Sequence, residues 1–111
     1  MKQLLVILVS MFSLLSFAQE KNNRPSSYNY RRGVEAIQNN NTDEALDYLN
    51  KEIEENPKNG YAYSWIAMVR LQQEEYGRAL TSADLSIKYL PKKDPEYLYF
   101  AYETRARIYA E

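Results

Sequence analysis

Thr42–Pro57, TDEALDYLNKEIEENP, returns 34 residues later as Tyr76–Pro91, YGRALTSADLSIKYLP. Ala45 recurs as Ala79, Leu46 as Leu80, Ile53 as Ile87 and Pro57 as Pro91. The stretch before it keeps step, with Gly33 answering to Ala67, Val34 to Met68 and Ile37 to Leu71. A period of this length belongs to a two-helix unit that stacks on copies of itself. The expected fold class is all-α, an α-solenoid of antiparallel helix pairs.

Outward from that stretch the helices mark their own ends. Ser26 or Ser27 is placed to cap a first helix, because a side-chain oxygen there satisfies an unpaired backbone N–H. Tyr30, Gly33, Val34 and Ile37 share one stripe of that helix, which runs to about Gln38. Asn39-Asn40-Asn41 tolerate the left-handed backbone of a tight turn. The second helix starts at Asn41 or Thr42, with Asp43 and Glu44 where the helix dipole favours anions. It presents Ala45, Leu46, Tyr48, Leu49 and Ile53, and Asn56-Pro57 stops it. After the turn Pro57–Gly60, a third helix carries Tyr61, Trp65, Ile66, Met68, Val69 and Leu71. The fourth runs from near Tyr76 to Leu90, with Ala79, Leu80, Ala83, Ile87 and Leu90 as its face.

Asp94-Pro95-Glu96 then opens a fifth helix: a cap, a proline suited to the first helical position and an acid suited to the dipole. Here the period slips. A strict step would carry Ala67 onto Ala101, but Ala106, with Tyr102 before it and Tyr109 after, matches better. The slip implies five extra residues at the N-terminal end of this helix. Its Tyr97-Leu98-Tyr99-Phe100-Ala101-Tyr102 run is apolar on nearly every side, which reads as core awaiting a cover, or as an aromatic binding site.

The first 18 residues stand apart: Lys2, the apolar runs Leu4–Val9 and Met11–Phe17, then Ser16-Phe17-Ala18. That is the pattern of a secretory signal peptide cut after Ala18. Read as a membrane anchor, the run falls short of the roughly 20 apolar residues a spanning helix needs. The expected division is therefore 1–18 signal peptide, 19–25 disordered leader and 26–111 repeat domain, with repeats 26–59 and 60–93 and a partial one at 94–111. Removal of Lys2 leaves 13 Lys and Arg against 15 Asp and Glu, a charge of −2 with the signs interspersed. No basic stripe neutralises a run of phosphates, so nucleic acid is excluded as a partner, as is membrane insertion after the signal is removed.

These residues resemble the tetratricopeptide repeat family, in two full copies and the first half of a third, over essentially the whole chain after the signal. The marks are the small residues Gly33, Ala67 and Ala106, then Ala45 and Ala79 early in the second helices, then Pro57 and Pro91. Two helices approach closely only where the side chains at their crossing are small. The first repeat departs from the pattern at Asn29 and Arg32, as a worn terminal repeat would. The resemblance implies a right-handed superhelix whose first helices line a concave groove. Carried over, that groove presents Ser27, Tyr30, Val34, Ile37 and Gln38, then Tyr61, Ser64, Met68, Leu71 and Gln72, then Phe100, Glu103 and Arg107. The family's carboxylate clamp uses Lys and Asn at such places, so this apolar, aromatic lining points instead to an extended peptide or a partner helix. Inter-repeat packing is the other use for the same side chains.

Catalysis finds little to stand on. There is no His and no Cys, which removes the commonest base, the thiol nucleophile and the usual zinc ligands. Glu52, Glu54 and Glu55 read as a solvated helix face, the alternative being a metal-binding carboxylate cluster. The expectation is a non-catalytic, exported scaffold, periplasmic or extracellular, without cofactor or metal, that holds a protein or peptide partner. Two rivals stand beside it. One is the front segment of a larger envelope protein, a membrane sensor kinase or enzyme, whose chemistry lies beyond Glu111. The other is a module that self-associates through Tyr97–Tyr102.

Overall fold

The computed structural model describes residues 24–111, and among these all regular structure is helical. The expected signal peptide and residues 19–23 of the leader lie outside the described residues. Five helices follow in order: α1 Tyr28–Gln38, α2 Thr42–Glu55, α3 Gly60–Gln72, α4 Tyr76–Tyr89 and α5 Pro95–Ala110. None is long and apolar enough to cross a membrane.

The period seen in the sequence is present in the backbone. At the α1–α2 turn the N–H groups of Asn39, Asn40 and Asn41 donate to the carbonyls of Glu35, Ile37 and Ala36 at 3.0, 2.9 and 2.8 Å. At the α3–α4 turn Gln73, Glu74 and Glu75 donate to Val69, Leu71 and Arg70 at 3.0, 2.9 and 2.9 Å, the same three bonds moved on by one period. Asn40 and Glu74 are both left-handed, with φ of 60° and 62°. Asn adopts that conformation readily because its short polar side chain bonds locally, whereas Glu pays about 1 kcal/mol for its Cβ. The second turn is therefore the strained copy of the first.

Consecutive helices pack on one another, and α3 also meets α5. α3 is the central element, with ten of its 13 residues buried. Small residues set how close the pairs come. A Cβ on Gly33 of α1 would fall 2.6 Å from Leu49 Cγ of α2, so the absent side chain is what lets Leu49 in. A Cβ on Gly60 would fall 2.5 Å from the backbone nitrogen of Leu90 and 2.8 Å from the carbonyl carbon of Tyr89. Backbone does not swing aside as a leucine tip does, so Gly60 is required where α3 begins beside the end of α4. Ala45, Ala67 and Ala79 are buried as expected, but Ala106 is exposed. The radius of gyration, 12.4 Å, equals the roughly 12 Å of a compact domain of this length.

Several local expectations change. α5 begins as read, with Asp94 accepting from the N–H of Tyr97 at 3.4 Å and Pro95 at the first position. It starts eleven residues before Ala106, where α3 starts seven before Ala67, so the N-terminal extension is four residues against the five expected. Ser27 stands at the N-cap of α1 without a capping bond; its hydroxyl donates to Glu52 Oε1 at 2.7 Å instead. Arg24, in the leader expected to be disordered, is anchored with its side chain only 8% exposed. Arg32 lies over the rings of Tyr28 and Tyr48, 5.8 and 5.3 Å from their centroids. That contact gives the cation at an otherwise apolar place a partner.

Candidate functional site

The residues expected to line a groove are mostly interior. Tyr30, Val34, Ile37, Tyr61, Ser64, Met68, Leu71 and Phe100 are all buried. Of that set Gln38, Gln72, Glu103 and Arg107 are partly open and Ser27 is exposed, and Glu103 pairs loosely with Arg107 at 3.8 Å. Several of the buried residues meet across helices. Trp65 Nε1 donates to Tyr30 Oη at 3.0 Å, and Tyr30 and Tyr97 bring their hydroxyls to 3.3 Å. Trp65 stands edge-on to Phe100 at 5.1 Å and Tyr61 edge-on to Tyr97 at 4.8 Å. Here the packing use of these side chains prevails. Burial pushes the hydroxyls of Tyr30 and Tyr97 up from their ordinary value, so both stay protonated donors and acceptors inside the protein.

At the rim of this aromatic core a charged cluster joins the first described residue to the last helix. Arg24 donates from Nε to Asp94 Oδ2 and from Nη2 to Asp94 Oδ1, each at 2.7 Å, and again from Nη2 to Glu96 at 3.0 Å. The same guanidinium lies 4.9 Å from the centroid of the Tyr97 ring. Tyr61 Oη donates to Asp94 Oδ2 at 2.8 Å. Burial alone would raise the Asp94 carboxyl, but the bonds from Arg24 and Tyr61 outweigh it and hold that group below the usual carboxylate range. The cluster is therefore charged across the physiological range. Nothing in the local sequence marks Arg24; Asp94 was legible as a cap alone.

At the other end of the strap that carries Arg24, Glu52 is buried, not part of a solvated face with Glu54 and Glu55. It accepts from Ser27 Oγ at 2.7 Å, Asn56 Nδ2 at 3.0 Å and Asn59 Nδ2 at 2.9 Å. Ser86, 34 residues further on, is a small residue and is also buried. Beside it, Pro25–Ser27 and Glu55–Asn59 border an open cleft of about 520 Å³. No group of three His, Cys, Asp or Glu side chains that could hold a metal occurs among the described residues.

The Tyr97–Tyr102 run divides. Tyr97, Phe100 and Ala101 face inward, whereas Tyr99 and Tyr102 are 68% and 46% exposed. Tyr109, 68% exposed, and Ala106 continue the outer stripe. Positions 99, 102, 106 and 109 fall on one side of a helix, opposite the buried Thr104 and Ile108. Arg105 flanks the stripe and reaches Asp84 at 3.1 Å. Arg105 also lies 5.1 Å from the centroid of the Tyr102 ring, and among the described residues no helix covers this apolar stripe, which is centred on a small residue.

Compared with known proteins, the chain matches no family model, no curated protein and no solved structure.

Proposed function

We propose that this chain is a non-catalytic scaffold of tetratricopeptide type, exported to the cell envelope or beyond, that holds a helix of a protein partner. In this reading α1–α2 and α3–α4 are two stacked repeats of a right-handed superhelix, and α5 is the first helix of a third. The observation that carries it is the outer stripe Tyr99, Tyr102, Ala106 and Tyr109, left open on the last helix. Inside the same molecule, the small residue Gly33 of α1 is met by Leu49 and the Ala45 backbone of α2. Ala67 of α3, one period on, is buried in a helix packed against α4. Ala106 is the third member of that series, and among the described residues no second helix lies over it. The occupant it fits is an amphipathic helix with Ala followed four residues later by Leu or Ala, as at Ala45 and Leu49 or Ala79 and Ala83.

A second reading places that helix in the same polypeptide, past Glu111, as the front part of a larger envelope protein. It is favoured by the fact that α2 and α4 each follow directly after the helix they cover. The coding sequence downstream separates the two readings.

The helix face itself is tested by titrating the full chain with a labelled peptide of residues 75–90, which carries the covering face of α4. Saturable binding is expected for the unaltered chain and its loss in Ala106→Arg, whose melting temperature stays unchanged because the site is exposed. A peptide that never binds, or binds Ala106→Arg equally, would refute the docking surface.

A further inference from the structure

Asp94, Glu96, Tyr61 and Tyr97 make a receptacle whose walls belong to α3 and α5 and whose filling belongs to neither. Arg24 lies outside every helix, in the strap Arg24–Ser27 that precedes α1. Every feature around its side chain suits a guanidinium. Two parallel bonds of 2.7 Å run to the two oxygens of one carboxylate, a third of 3.0 Å runs to a second carboxylate, and an aromatic ring lies under the plane at 4.9 Å. An ammonium forms no such fork and stacks less well. The receptacle is also held independently of its filling. Tyr61 bonds Asp94, Asp94 caps α5, and Tyr97 is locked between Tyr61 and Trp65.

The filling is not complete. Arg24 Nη1 is buried without an acceptor, although the side chain is more than nine-tenths covered. A donor left bare in such a place calls for one more acceptor than the described residues supply. The strap, meanwhile, is thinly held: Pro25 is half-buried, Ser26 and Ser27 are exposed, and its other side-chain ties are Ser27 to Glu52 and Arg31 Nε to the Ser26 carbonyl.

We infer that Asp94, Glu96, Tyr61 and Tyr97 form a binding site for the arginine side chain of an extended protein segment, occupied here by Arg24 as an internal stand-in. A partner's arginine enters when the strap swings out, and a backbone carbonyl of the incoming segment meets the donor that Arg24 leaves bare. This site lies at the start of α5 and is separate from the outer stripe, so either can fail without the other.

The test uses the full chain carrying Arg24→Ala and a capped peptide of residues 22–27, whose third residue is the strap arginine. The altered chain is expected to bind that peptide about tenfold more tightly than one with lysine in its place, the cost of about one charge-assisted hydrogen bond. Adding Asp94→Asn, which keeps an acceptor for the helix cap, is expected to abolish the difference. The unaltered chain, whose site is filled, is expected to bind at least tenfold more weakly, on the order of one such bond or more. If Arg24→Ala does not fold by itself, recovery of its helical circular dichroism with the arginine peptide is the readout. Equal affinity for the two peptides, equal binding by the unaltered chain, or no binding and no recovery would each overturn the assignment.

Discussion

Two sets of tyrosines, alike in composition, stand on opposite sides of the last helix. The inner set, Tyr30, Tyr61 and Tyr97, is no more than 6% exposed, whereas Tyr99, Tyr102 and Tyr109 on the outer stripe are 46–68% exposed. The difference lies in what surrounds each set. The inner hydroxyls have partners supplied by neighbouring helices: Trp65 and Tyr97 for Tyr30, and Asp94 for Tyr61. A buried phenol is tolerated only when its hydroxyl is so paired. The outer set belongs to a helix with packed neighbours on one side only. Aromatic content thus says where a helix wants company, and the polar partners decide where it already has it.

The largest effect expected from this contrast is a difference between two like substitutions. Tyr97→Ala should cost about 3–5 kcal/mol, by loss of a filled aromatic site and a buried hydroxyl partner. Tyr109→Ala should stay within about 0.5 kcal/mol. Urea unfolding of the two variants measures both, and equal costs would erase the distinction between the faces.

Changes of pH separate the same regions from both ends. The Asp94 carboxyl is depressed in the folded chain, against the pull of burial, by its bonds from Arg24 and Tyr61. Its contribution is therefore present above the unfolded value of about 3.9 and is lost as pH falls through the lower folded value. Burial raises the hydroxyls of Tyr30, Tyr61 and Tyr97, so their contribution is complete below the unfolded value of about 10 and fades as pH rises through the folded ones. Melting temperature against pH should show a plateau between these limits. In Asp94→Asn the acid limb should flatten while the alkaline limb keeps its shape.

The smallest effect belongs to the two left-handed turns. Glu74→Asn puts at the second turn the residue that Asn40 supplies at the first, and should raise stability by about 0.5–1 kcal/mol. Calorimetry would detect it; a loss of stability would mean that the two turns are not equivalent.

Much of the helical order was legible, because Pro57 and Pro91, the asparagine turn and the small residues recur at fixed intervals and each has a local cause. The boundaries of α2 and α4 repeat at the period found in the sequence, whereas Ala106, read as a helix-crossing residue, is exposed. What failed to be legible depends on contacts between residues far apart. Arg24 and Asp94 are 70 positions apart, and no periodicity links a leader arginine to a helix cap. The groove residues were assigned as a surface because the resemblance to a repeat family carries them onto a concave face. Whether that face is open is decided by α3 and α5 closing over it, which spacing does not encode. Glu52 was read as solvated from its type, and its burial rests on bonds from Ser27, Asn56 and Asn59.

The contrast between the two faces is tested most directly by nitrating the folded full chain with tetranitromethane and mapping the modified tyrosines by mass spectrometry. Tyr99, Tyr102 and Tyr109 should react at low reagent, with Tyr30, Tyr61 and Tyr97 unmodified until the chain unfolds. Saturating peptide of residues 75–90 should then protect Tyr102 and Tyr109. Early modification of Tyr30, Tyr61 and Tyr97 would mean that the inner set forms an open groove, and would contradict the assignment of the docking surface to α5.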